Sequence, residues 1–225
     1  MVNGIINVYK EKGYTSFDVV AKMRGIFGQK KIGHTGTLDP DAQGVLPVCL
    51  GKATKVCDLL TDKDKVYKAT MLLGIQTDTL DISGKVCNKA MVNVTEQQVR
   101  DVISTFVGTI EQVPPMYSAL KVNGKKLYEL AREGKAIERK ARKVSIYDIT
   151  IDEIRLPEVV MTVSCSKGTY IRSLCDDIGT KLGCYGCMKE LLRTKVACFD
   201  IEDAYKISEI EKLKEKGAHI VTLGK

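Results

Sequence analysis

Apolar residues in this chain keep two different spacings, and the change from one to the other marks out its elements. Gly4 to Tyr9 reads as a short strand, and Thr15-Ser16 caps a helix with Phe17, Val20, Met23 and Phe27 on its apolar side. Val45 to Leu50 reads as a strand, Ala53 to Leu60 as a short helix and Val66 to Leu73 as a strand. Thr95-Glu96-Gln97-Gln98 has the form of a capping box, opening a helix that buries Val99, Val102, Ile103 and Phe106 until Gly108 stops it. Val144, Ile146, Ile149 and Ile151 line a long strand whose alternation changes phase near Tyr147-Asp148, where a bulge or twist is expected. Val159 to Cys165 is its expected partner. Helical spacing returns at Ile171, Leu174, Cys175, Ile178 and Leu182 and ends at Gly183, while Ser208-x-x-Glu211 predicts the start of a last helix closed by Gly217. Strands and helices thus alternate, with no repeat, no low-complexity linker and no visible domain boundary.

One segment fits neither spacing. Gly33-His34-Thr35-Gly36-Thr37-Leu38-Asp39-Pro40 is followed at once by Gly44-Val45-Leu46-Pro47. Glycines relieve the backbone, and a proline restricts both its own φ and the residue before it. One carboxylate, Asp39, is therefore held in a stiff, irregular loop. Such a loop is costly unless it positions something.

Composition limits what that carboxylate can do. A chain of 225 residues with 44% hydrophobic content can bury a full core. Apolar runs such as Val159-Val160-Met161 are far shorter than a membrane span, and Met1-Val2-Asn3-Gly4 does not open a signal sequence, so a cytoplasmic protein without membrane contact is expected. The eight cysteines are scattered and read as reduced thiols rather than a disulfide framework. Cys184-x-x-Cys187 has no second pair or histidine cluster to complete a zinc site, since the histidines are His34 and His219, and no metal is expected.

Charge placement says more than the net +7. Between Tyr117 and Lys143, nine basic residues (Lys121, Lys125, Lys126, Arg132, Lys135, Arg139, Lys140, Arg142 and Lys143) stand against three acidic ones, a local charge of +6. A solvated helix would account for such a run. Tyr117 and Tyr128 interleaved with it add stacking faces beside phosphate partners, the mixture that looped or single-stranded RNA requires. Arg172 is also informative, because a cation in the first turn of a helix faces the positive end of the macrodipole. Its position calls for an anionic partner, and a buried carboxylate beside an arginine stays ionised.

Five motifs in order, the Asp39 loop with Gly44-Val45-Leu46-Pro47, Val66-Tyr67-Lys68-Ala69, Pro114-Pro115-Met116-Tyr117-Ser118-Ala119-Leu120-Lys121, Cys165-Ser166-Lys167-Gly168-Thr169-Tyr170-Ile171-Arg172 and Leu191-Leu192-Arg193-Thr194, resemble the bacterial tRNA pseudouridine-55 synthase family, TruB. The likeness runs from Ile5 to about Ile210. It implies an α+β pseudouridine synthase fold, with a mixed, mostly antiparallel central sheet flanked by helices and a basic thumb at about 114–143. It implies one catalytic domain over residues 1–225, lacking the C-terminal PUA domain that members of the family commonly carry.

The reaction it implies needs no cofactor. The uracil of a T-loop uridine, position 55 of tRNA, is detached from C1′, turned over and rejoined through C5, after the nucleotide is flipped out of the loop. Asp39 would be the catalytic carboxylate, attacking C1′ or removing a 2′ proton, and Arg172 would pair with it. Tyr67 would stack on the base and serve in proton transfer, and Leu191 would wall the pocket. His34, Lys10 and Tyr170 would line the site, and Tyr117, Lys121, Arg132 and Arg142 would grip the RNA. Lys10 is followed by Glu11 where the family usually has proline. The resemblance further implies a monomer acting on the tRNA T arm with no obligatory protein partner. Two rival readings are a guide-dependent synthase of the dyskerin type and a tRNA-folding chaperone whose catalysis is secondary. The Asp39, Tyr67 and Arg172 set argues against pure binding, which does not require it.

Overall fold

A computed structural model describes residues 2–122 and 124–217; His219 lies outside them. The chain opens with strand β1 (Gly4–Lys10), helix α1 (Ser16–Phe27), β2 (Ile32–His34) and β3 (Gln43–Leu50). A 3-10 turn over Gly51–Val56 leads into α2 (Cys57–Thr61) and then β4 (Lys65–Leu73). Next come β5 (Ile75–Thr77), β6 (Val86–Lys89), α3 (Glu96–Ser104) and β7 (Gly108–Gln112). The basic segment forms β8 (Lys121–Val122), β9 (Lys125–Lys126) and α4 (Leu127–Arg132). It is followed by β10 (Arg142–Arg155), β11 (Glu158–Cys165), α5 (Ile171–Lys181), β12 (Gly186–Val196), β13 (Phe199–Asp200) and α6 (Ile207–Glu215). The architecture is mixed, with a mostly antiparallel sheet flanked by helices.

The chain forms two compact units, Met1–Tyr67 with Leu191–Lys225, and Lys68–Glu190. In the first, β1 and β2 both pair antiparallel with β3, and β12 runs parallel to it at Leu192 against Gln43 and Arg193 against Gly44. Strand β3 is buried from Gly44 to Leu50, as its continuous apolar run implies. Its core joins Ile6, Val8, Leu46, Val48 and Leu50 of the strands to Val19, Val20 and Met23 of α1 and to Ile207 and Ile210 of α6. In the second unit β7, β10 and β11 form an antiparallel run. The pairing of β10 with β11 shifts register between Ile146 and Asp148, where the alternation predicts it.

Three local expectations need correction. Val20 and Met23 are buried as expected, but Phe17 is 64% exposed beneath the Arg24 guanidinium, and Val19 completes the buried face in its place. Helix α3 ends at Ser104, and Gly108, at φ +115°, opens β7 rather than closing the helix. The last helix starts at Ile207, with the Glu209 carboxylate accepting from the Lys206 N–H at 2.7 Å, because Ile207 and Ile210 must reach the core; Ser208 is exposed.

Glycine is indispensable where β3 meets β12. Gly44 has φ +109°, and a Cβ there would lie 2.2 Å from the Arg193 carbonyl oxygen. Gly25, inside α1, would place a Cβ in open space. Gly44→Ala should therefore cost about 2–3 kcal/mol, which in thermal unfolding is a fall of roughly 4–10 °C. Gly25→Ala should raise stability by up to about 1 kcal/mol. Equal shifts in the two variants would contradict this account of β3 against β12.

Candidate active site

The first unit assembles a site around the loop between β2 and β3. Asp39 stands at the start of a tight turn in which the Ala42 N–H donates to the Asp39 carbonyl at 3.1 Å, with Pro40 at the second position, where its fixed φ suits a turn. On the other side of the turn, the Leu38 N–H donates to Ser16 Oγ at 2.9 Å, tying the loop to the start of α1. The Gly13 N–H donates to the Pro40 carbonyl at 2.9 Å. The half-buried Asp39 is thus fixed by backbone bonds on both sides.

Lys10 ends β1 fully buried. Its ammonium donates to the carbonyls of Tyr14 at 2.6 Å and of Glu11 and Pro40 at 3.2 Å each. Here the chain departs from the family's proline, and Glu11 still supplies an acceptor, so the turn is closed by the lysine. Burial pulls the Lys10 pKa down to about 8, with the Asp39 and Asp41 carboxylates opposing the drop and Arg193 adding to it. His34, on β2, is held towards the neutral imidazole by burial and by the Arg193 charge, while a backbone hydrogen bond at Gly36 pulls the other way.

Arg193 is the residue that motif reading passed over, although it lies in the Leu191-Leu192-Arg193-Thr194 segment. It is 1% exposed. Its Nε donates to the Val45 carbonyl at 2.8 Å and its Nη2 to the Gly36 carbonyl at 3.3 Å. The Tyr67 hydroxyl, on a buried residue of β4, lies close enough to act on the Arg193 charge. Leu191, half-buried on β12, lies two residues before Arg193. The first unit therefore brings Lys10, His34, Asp39 and Tyr67 into one neighbourhood, linked through Arg193.

The second unit holds the remaining candidates. Arg172, 5% exposed in the first turn of α5, donates to the Thr79 carbonyl at 3.1 Å and the Tyr117 carbonyl at 2.7 Å, and lies 3.6 Å from the Asp81 carboxylate. Asp81 is itself oriented by the Thr79 hydroxyl at 2.8 Å and the Ser83 N–H at 3.0 Å. The helix start is closed by buried Gln112, whose side chain bonds both the N–H and the carbonyl of Tyr170, at 2.8 and 3.0 Å. Arg142 stacks over Tyr170 at 5.0 Å and donates to the Gly168 carbonyl.

In the basic segment, Leu127 and Leu130 are buried while Lys121, Arg132, Lys140 and Lys143 are exposed. Lys126 and Arg132 lie 5.3 and 5.4 Å from the Tyr128 ring. Cys184 and Cys187 are buried, free thiols. Among the described residues no group of His, Cys, Asp and Glu is arranged to hold a metal ion, and no helix is long and apolar enough to cross a membrane.

Comparison with known proteins gives this geometry its context. Residues 24–171 match the family model of the TruB family pseudouridylate synthase N-terminal domain, and 172–222 match that of the tRNA pseudouridylate synthase B C-terminal domain. A tRNA pseudouridine synthase B of Lachnoclostridium phytofermentans is 62% identical over 94% of this chain and 71% of its own length. One from Clostridium novyi is 56% identical over 93% and 72%. The fold also matches a chain in the crystal structure of a Cbf5-Nop10-Gar1 complex, with TM-score 0.76 and 34% identity, covering 96% of this chain; the chain spans 57% of that one's length. The chain belongs to the TruB family of tRNA pseudouridine synthases, and it is an isomerase of uridine in tRNA.

Proposed function

We propose that the uridine isomerised is that of the T loop, position 55, and that Asp39 is the catalytic carboxylate, in a reaction that needs no cofactor. The observation that carries this reading is the Asp39 turn, closed at 3.1 Å and flanked by the buried cations Lys10 and Arg193. A carboxylate so placed has two routes. In one it bonds C1′ as the N1–C1′ bond breaks, and uracil leaves with the electron pair. In the other it takes the 2′ proton as the N1–C1′ bond breaks, giving a glycal and free uracil. C5 then bonds C1′, displacing the Asp39 carboxylate in the first route and adding to the glycal as Asp39 returns the 2′ proton in the second; in both the C5 proton is lost and N1 is protonated, so that substrate and product are isomers. Tyr67 stacks on the extruded uracil and relays the proton, and Leu191 walls the pocket.

His34 meets the T loop. Tyr170, Tyr117, Lys121, Arg132 and Arg142 serve the RNA backbone and bases, offsetting the few kcal/mol that base flipping costs. Arg142 does so from its stack on Tyr170. Identities of 62% to named tRNA enzymes, against 34% to the Cbf5 chain, favour direct tRNA recognition over guide dependence. The enzyme works as a cytoplasmic monomer.

Asp39→Asn should abolish tritium release from C5-labelled tRNA while binding stays within about threefold; an equal collapse of binding would make Asp39 structural. Neutralising the exposed Lys121, Arg132, Lys140 and Lys143 should lower affinity and reduce the slope of log affinity against log salt by up to about 3, read in a binding titration. The folded Lys10 pKa, at about 8, lies below its ordinary 10.5. Between those values the unfolded chain binds the proton more strongly, so stability from this group rises with pH. In urea titrations at about pH 8 and about pH 10, wild type should therefore gain relative to Lys10→Met.

A further inference from the structure

Arg193 combines complete burial with an unusual choice of partners. A buried guanidinium ordinarily faces a carboxylate, since neutral acceptors compensate its lost hydration less well. The hydrogen bonds of Arg193 instead go to the carbonyls of Val45 and Gly36, and the Tyr67 hydroxyl lies beside it. An apolar side chain would fill the same volume at lower cost. What the arginine adds lies in where the acceptors are. Gly36 precedes Asp39 by three residues and Val45 follows it by six, so one rigid side chain grips the catalytic loop on both arms.

Both loop glycines meet the same residue. A Cβ on Gly36 would lie 3.8 Å from Arg193 Nη1, and one on Gly44 would collide with the Arg193 backbone. A guanidinium carries only donors. A hydrogen bond between Arg193 and Tyr67 therefore has the phenolic oxygen as its acceptor, with the phenolic hydrogen directed away from Arg193.

We propose that Arg193 is a positioning residue for the isomerisation, which holds the Asp39 loop and the Tyr67 hydroxyl in one fixed relation. This rests on the reading of Asp39 and Tyr67 as reacting groups. Removing the clamp loosens the carboxylate relative to the phenol, and loss of such alignment slows the chemical step more than it weakens binding.

The test is a double-mutant cycle of Arg193→Lys with Tyr67→Phe on full-length protein, with single-turnover rate, tRNA affinity and thermal midpoint measured for each. Arg193→Lys should fold and bind tRNA within about threefold, yet turn over at least roughly tenfold more slowly. In the Tyr67→Phe background the same change should cost less than about threefold, because the contact is already gone. A rate for Arg193→Lys within threefold of wild type, or an undiminished loss in the Tyr67→Phe background, overturns the proposal alone. A wild-type rate for Tyr67→Phe overturns the reading of Tyr67 and the proposal with it. Should Arg193→Lys fail to fold, 15N-arginine spectra of wild type and Tyr67→Phe decide. A buried Nη resonance that shifts on loss of the phenol supports the clamp, and one that does not shift removes it.

Discussion

The contact on which the site depends is the close approach of β3 to β12 at Gly44 and Arg193. The two strands run parallel there, and the missing side chain of Gly44 lets the Arg193 carbonyl oxygen come within 2.2 Å of where a Cβ would lie. That approach delivers the arginine side chain beneath the Asp39 loop, where it finds the Gly36 and Val45 carbonyls. The loop has little regular secondary structure to hold it. Its shape comes from a proline turn, the bond to Ser16 and this one buried cation. Irregular backbone carrying a functional group is stable only where its polar atoms are satisfied one by one.

Electrostatics in each unit follow the same logic. Lys10 and Arg193 are buried cations held mainly by carbonyl oxygens, and Arg172 takes two carbonyls besides Asp81. Carbonyls satisfy hydrogen-bonding capacity without cancelling charge, so the surroundings remain positive, which suits a polyanionic substrate. The positive field has internal consequences as well. It helps to hold His34 towards its neutral form, although burial is the larger cause, whereas at Lys10 burial lowers the pKa against the opposing Asp39 and Asp41 carboxylates.

The basic segment illustrates how a surface can be charged and still ordered. Leu127 and Leu130 anchor α4, and Tyr128 is flanked by Lys126 and Arg132. The apolar residues secure the helix, while the cations above it stay exposed for phosphate contact.

Periodicity carried most of the elements, because burial repeats every two residues on a strand and about every 3.6 on a helix. Even the β10 register shift was visible as a change of phase at Tyr147-Asp148. The family, and with it Asp39, was legible from motifs whose order survives in one dimension. The errors arose where a local signal met a core requirement, as at Phe17 and Ser208, since propensity is weak against packing. What the sequence by itself determined is the element list, the basic segment and the identity of the candidate carboxylate. Only the tertiary structure decided what holds that carboxylate in place. The bonds from Arg193 to Val45 and Gly36 span 148 and 157 residues, and Gln112 reaches Tyr170 across 58. No pattern of neighbouring residues encodes such pairings, because they arise when folding closes long loops onto a shared core.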